Sequence, residues 1–157
     1  MTTLHDAKAI QILLVEDNPG DVRLTQEVLK EAVVPNRIHA VKTGIEALAF
    51  LRRQGQYSDA PRPDLILLDL NLPKKSGHEV LDEIKTDEKL KRIPVVVLTT
   101  SSADQDITQA YDAHANCYIS KPIDLNQFVK AMKAIEEFGA PWSNCRRSEN
   151  RWTTNSK

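Results

Sequence analysis

Five short segments rich in branched aliphatic residues, 10–15, 37–41, 65–70, 93–98 and 117–119, begin 27, 28, 28 and 24 residues apart. That period is about one strand plus one returning helix, so it constrains the chain to βα repeats rather than to hairpins. Three of the segments are apolar throughout instead of alternating, as strands covered on both faces should be. Right-handed crossovers then place helices on both sides of one parallel sheet, which predicts an α/β fold: an open, doubly wound sandwich of five βα repeats. With 157 residues there is no room for a second core of ordinary size.

The intervening stretches predict the helices. In the last one Leu125, Phe128, Val129, Met132 and Ile135 recur at helical spacing behind Asp124, an N-cap residue, and Gly139 and Pro141 stop it. Leu24 with Val28, Ile45 with Leu48 and Ala49, and Val80 with Ile84 repeat the pattern more weakly. The polar insert 54–63 predicts a surface loop. After Gly139 the chain turns polar and basic around Trp142 and Trp152, a partly ordered tail.

Several function classes are disfavoured by charge and composition. Twenty-one basic residues against 22 acidic ones leave a net charge of -1, so no global positive field draws the chain to nucleic acid or anionic lipid. Arg146, Arg147, Arg151 and Lys157 are too sparse a patch to change that. The apolar runs fall far short of the ~18 residues of a membrane span, and a cytoplasmic location is the default expectation. Cys117 and Cys145 lack metal-ligand spacing and read as reduced thiols. His5, His39, His78 and His114 pair with no nucleophile and read as surface or edge residues, and no glycine-rich phosphate loop follows the first strand.

The chemistry collects where the strands end, because ligands of a doubly wound sheet sit beyond the carboxyl ends of its strands. The first strand ends in Glu16 and Asp17, the third runs into Asp69 with Asn71 just after it, the fourth ends in Thr99, and the fifth leads to Lys121 and Pro122. Each residue alone reads as a helix cap, a loop residue or a solvated charge. Their coincidence at the strand ends of one fold is what points to a site. Carboxylates crowded there repel by roughly 3 kcal/mol per pair at ~5 Å and an effective dielectric near 20. A raised pKa, the nearby lysine or a bound divalent cation would offset that, and oxygen-only ligands suit Mg²⁺ or Mn²⁺. The expected ligands are Glu16, Asp17, Asp69 and the backbone carbonyl of Asn71. Asp69 is the candidate nucleophile toward phosphorus, with Lys121 and Thr99 stabilising the transferred group. The Lys121–Pro122 bond is a cis-peptide candidate.

These motifs resemble the receiver domain of two-component response regulators. The resemblance covers residues 9–138 and rests on ILLVEDN with Glu16 and Asp17, LILLDLNLPKKSG with Asp69 and Gly77, VVVLTTS with Thr99, and CYISKP with Tyr118 and Lys121. It implies a flavodoxin-like fold with five parallel strands in the order 2-1-3-4-5, and short tails at 1–8 and 139–157 with no output domain. It also implies Asp69 as phosphoacceptor and Glu16 and Asp17 as the acidic pair for Mg²⁺, for which Mn²⁺ or Ca²⁺ substitutes, with Asn71 as a carbonyl ligand. Thr99 and Lys121 would contact the phosphoryl group. Tyr118 matches the family's aromatic switch, which with Thr99 would report to the face of the family's fourth helix, fifth strand and fifth helix.

The insert GQYSDAPRP and the runs LNLPKKSG and LKRIPVVVLTTS are similar to the small regulators paired with bacterial and cyanobacterial phytochrome histidine kinases. That similarity implies a histidine kinase of the phytochrome class as phosphodonor and a homodimer through the switch face. The chain is then expected to be a phosphorylation-activated signalling switch, not an enzyme in its own right but a phosphoacceptor that assists its own phosphorylation and dephosphorylation. The alternatives are a Mg²⁺-dependent phosphohydrolase with an aspartyl intermediate and a degenerate receiver acting only as a binding module. The first would place its nucleophile after the first strand with a second Asp two residues on, where this chain has Glu16-Asp17-Asn18.

Overall fold

The computed structural model describes residues 9–99 and 117–136. In these residues β1 (Ile10–Val15), α1 (Pro19–Lys30), β2 (Asn36–Val41), α2 (Gly44–Arg52), a 3-10 turn (Gly55–Tyr57), β3 (Leu65–Asp69), α3 (Gly77–Thr86), β4 (Val95–Thr99), β5 (Cys117–Ser120) and α4 (Leu125–Glu136) follow one another. The strands form one sheet in the order β2-β1-β3-β4-β5, and every neighbouring pair is parallel. This is the flavodoxin-like, doubly wound arrangement expected from the spacing and the resemblance. The chain of the fourth predicted repeat with His114, the N-terminal segment with His5, and the tail with Gly139, Pro141, Trp142, Cys145, the arginines and Trp152 lie outside the described residues.

Side chains alternate along each strand, so the sheet divides the core in two. On one side Ile12, Leu14, Leu65, Leu67, Val96, Leu98 and Ile119 meet Leu29 of α1 and Phe128, Met132 and Ile135 of α4. On the other Leu13, Val15, Ile66, Leu68, Val95 and Val97 meet Leu48 and Leu51 of α2 and Val80, Leu81 and Ile84 of α3. Residues 65–69 and 95–99 are buried throughout, which is why those strands read as continuous apolar runs rather than as alternating ones.

Each described helix starts on a side-chain cap. Asn18 Oδ1 accepts from the Asp21 N–H, Thr43 Oγ1 from the Glu46 N–H and Asp124 Oδ1 from the Gln127 N–H. Ser76 and Glu79 satisfy each other's backbone N–H groups in a capping box.

Several local expectations shift. β4 starts at Val95, not at residue 93, because Pro94 has no N–H for the ladder. Leu24 and Ile45 do not face the core: they are 40% and 59% exposed, while Thr25 and Leu29 carry the inner stripe of α1. Gly44 is buried against Val80 and Lys75 at the start of α2, and the next position, about 100° further round the helix, turns Ile45 to solvent. The 54–63 insert is not wholly a surface loop: Tyr57 leaves the 3-10 turn to pack on Phe50, whose other neighbour is His39, with ring centroids 5.4 Å apart in both pairs. No described helix is long and apolar enough to cross a membrane.

Candidate functional site

The register brings the predicted strand-end residues to one rim. Val15 is paired with Leu68, so Glu16 and Asp69 lie level on neighbouring strands; Asp69 is paired with Leu98 and Thr99 with Ser120. The chain is held there by backbone bonds: Glu16 N–H donates to Val41 O, Leu70 N–H to Leu98 O and Lys121 N–H to Thr99 O at 2.7 Å. Gly77, at the start of α3, closes the loop behind Asp69. A Cβ at Gly77 would come within 2.6 Å of the Asp69 carbonyl oxygen and 2.5 Å of Leu70 Cα, so this close approach excludes a side chain.

Glu16, Asp17 and Asp69 each offer a carboxylate oxygen, and these oxygens lie within 4.8 Å of one another. Glu16 and Asp69 are buried while Asp17 is exposed, so the cluster has a buried floor and an open side. Lys121 Nζ donates to Glu16 Oε1 at 3.0 Å and to Asp69 Oδ2 at 3.1 Å, and the Asn71 N–H donates to Asp69 Oδ1 at 3.0 Å. Both Asp69 oxygens are therefore oriented. The Lys121–Pro122 peptide is cis. Thr99 Oγ1 is buried and has no hydrogen-bond partner among the described residues. On the neighbouring strand, Tyr118 shares the Thr99 face of the sheet by strand alternation and packs half-buried against the cluster around Val97.

Sequence reasoning missed one member. Asp21, in the first turn of α1, places Oδ2 2.9 Å from Lys121 Nζ. Its only signal in the sequence is that of an acidic residue suited to a helix N-terminus. With Asp21 included, the rim gathers four carboxylates and one ammonium, which contacts Glu16, Asp21 and Asp69.

The electrostatics follow from that imbalance. Burial and the adjacent Asp69 carboxyl push Glu16 up to about 7, against the opposing pull of Lys121. Burial alone would lower the Lys121 ammonium, but its hydrogen bonds to Asp21 and Glu16 and the charge of Asp69 outweigh that and hold it above the usual range. Contacts near 3 Å attract by roughly 5 kcal/mol each on the scale that sets carboxylate repulsion near 3 kcal/mol, so the acids hold the lysine charged, while one ammonium does not offset the burial and mutual repulsion of the carboxylates at Glu16. Three converging carboxylate oxygens there suit a hard divalent cation such as Mg²⁺ or Mn²⁺. Among the described residues the Thr99 hydroxyl has no partner, which leaves it as a donor at the same rim.

The family model of the response regulator receiver domain matches residues 12–133. Response regulator Rcp1 of Synechocystis sp. is 53% identical over 127 residues, covering 81% of this chain and 86% of that protein. The crystal structure of the phosphorylated cyanobacterial phytochrome response regulator RcpA is 57% identical, with a TM-score of 0.68 over 83% of this chain and 93% of that one. The Mn²⁺-bound form of response regulator Rcp1 is 51% identical, with a TM-score of 0.67 over 84% of this chain and 95% of that one.

Proposed function

The chain belongs to the response regulator receiver domain family, and from that premise we propose that it is a phosphorylation switch with Asp69 as phosphoacceptor and a phytochrome-class histidine kinase as donor. One observation carries this: Asp69 is buried, oriented by Lys121 and the Asn71 N–H, and clustered with Glu16 and Asp17. The similarity to RcpA, a phytochrome response regulator, supports the choice of donor.

In the proposed transfer the phosphorus–nitrogen bond of a phosphohistidine breaks as a bond from phosphorus to an Asp69 carboxylate oxygen forms. The imidazole departs and takes a proton from solvent. A divalent cation held by Glu16, Asp17, Asp69 and the Asn71 carbonyl would neutralise charge building on the phosphoryl oxygens. Lys121 supplies a positive charge to the same oxygens, and the Thr99 hydroxyl donates a hydrogen bond to one of them. The product replaces the single negative charge of the Asp69 carboxylate with a phosphoryl group carrying roughly 1.5 to 2, a net gain of up to about one negative charge at the rim. Drawing Thr99 toward those charges frees space for the Tyr118 ring on the same face of the sheet. The resulting change is read by the surface around β5 and α4, through a homodimer or a protein partner. The working unit spans residues 9–138.

Incubation with acetyl phosphate and Mg²⁺, or with a phosphorylated histidine kinase, labels the wild-type protein and leaves Asp69→Asn unlabelled. Equal labelling of the two would overturn the assignment.

A further inference from the structure

The Lys121 ammonium has three protons and meets three carboxylates, each supplied by a different part of the chain. Glu16 follows β1, Asp69 ends β3 and Asp21 sits in the first turn of α1, at 3.0, 3.1 and 2.9 Å. Two of the three have other work in phosphotransfer, since Glu16 is a cation ligand and Asp69 receives the phosphoryl group. Asp21 has no such second task. It lies outside the carboxylate cluster suited to a metal, and Lys121 is the one partner of its carboxylate among the described residues.

The anchor is also well built. The Asp21 backbone N–H is fixed by Asn18 Oδ1 at 3.0 Å, and Pro19 starts the same helical turn. The Lys121 side chain is 13% exposed and the Asp21 side chain 37%, so the pair runs from the buried floor toward solvent. Asp21 and Lys121 together line a narrow crevice with Thr25 and Leu98. A free lysine side chain carries considerable rotamer entropy, and an ammonium whose other two partners are neutralised in mid-reaction would regain it.

We propose that Asp21 is a positioning residue for phosphotransfer: it holds the Lys121 ammonium at the rim throughout the cycle while Glu16 and Asp69 exchange that ammonium for other partners. The proposal rests on Asp69 as phosphoacceptor.

The test is a double-mutant cycle on the full chain, with acetyl phosphate as donor, Mg²⁺ present and the rate of labelling as readout. Asp21→Asn slows labelling about five-fold, the effect expected for loss of one partly exposed charge-assisted hydrogen bond. Asp21→Glu, which keeps a carboxylate, recovers most of the rate. In a Lys121→Gln background, Asp21→Asn has no further effect. An equal slowing in both backgrounds would show a general field or structural effect and overturn the proposal, as would an unchanged rate in the wild-type background. A second readout needs no turnover: the Lys121 ammonium resonance, visible in ¹⁵N spectra while its protons exchange slowly, exchanges faster with water in Asp21→Asn and in Asp21→Ser. Unchanged exchange in both overturns the proposal. Wild-type protein that takes no label on Asp69 refutes the phosphoacceptor assignment instead, a result distinct from any of these.

Discussion

Lys121 and Lys85 are both drawn out of solvent, at opposite ends of the same sheet. At the carboxyl end Lys121 is ringed by Glu16, Asp21 and Asp69, and its ammonium is held above the usual range. At the amino end Lys85 leaves the last turn of α3 to donate to the carbonyl oxygens of Lys91 and Ile93, and burial pushes it down to about 8. Similar residues in similar depth thus shift in opposite directions. The kind of partner sets the direction of the shift: carboxylates favour the charged ammonium against the cost of burial at Lys121, whereas at Lys85 that cost dominates. The lysine that the proposed function assigns to phosphotransfer is the one surrounded by acids.

The largest expected effect comes from breaking the better-partnered end. With divalent ions removed, Lys121→Met leaves Glu16 and Asp69 buried without their cation and costs about 3 kcal/mol in urea unfolding at pH 8. Adding Mg²⁺ recovers part of it. No loss of stability would mean that the carboxylates do not depend on this lysine.

A smaller effect concerns the acid that burial has raised. Because the Glu16 carboxyl titrates at about 7 when folded and near 4.5 when unfolded, the folded state binds more protons between those values. Stability in chelator therefore falls as pH rises from about 4.5 to 7. Glu16→Gln removes that fall and gains on the order of 2 kcal/mol at pH 8, read as a shift in the urea midpoint. A midpoint with the same pH slope in the variant would contradict the shift.

The smallest effect belongs to the carbonyl-bound lysine. Folded Lys85 titrates at about 8 and the unfolded side chain near 10.5, so the unfolded state binds more protons between the two. Stability contributed here rises with pH across that window, the opposite slope to that of Glu16. Lys85→Met flattens the rise and changes stability at pH 7 by less than about 1 kcal/mol, since a buried cation is replaced by an apolar chain of similar length. A loss as large as that of Lys121→Met would erase the contrast.

Much of the fold was legible because its signals are local. Buried strands read as apolar runs, and Asp124 marks the start of the last helix by the backbone N–H group it caps. The orientation of α1 and α2 was less legible. Leu24 and Ile45 look like core residues by type, but the face a helix buries depends on what lies beneath it, and Thr25 and Ala47 take the inner positions. The carboxylate cluster was readable from strand ends, since Glu16, Asp17 and Asp69 all terminate or follow apolar runs. Asp21 was not, because an acid in a first helical turn has an ordinary local explanation.

The order of strands and helices, the acids at the strand ends and the lysine before Pro122 follow from the amino-acid sequence alone, since periodicity, capping and apolar runs act over a few residues. Which of those charges meet was decided only by the tertiary structure. Glu16 and Lys121 are separated by 105 residues, and they come within 3.0 Å because the parallel register sets the ends of β1, β3 and β5 on one rim. Asp21 joins them because α1 packs beside that rim. No spacing along the chain encodes that contact, since it depends on how a helix and a sheet settle against a shared core.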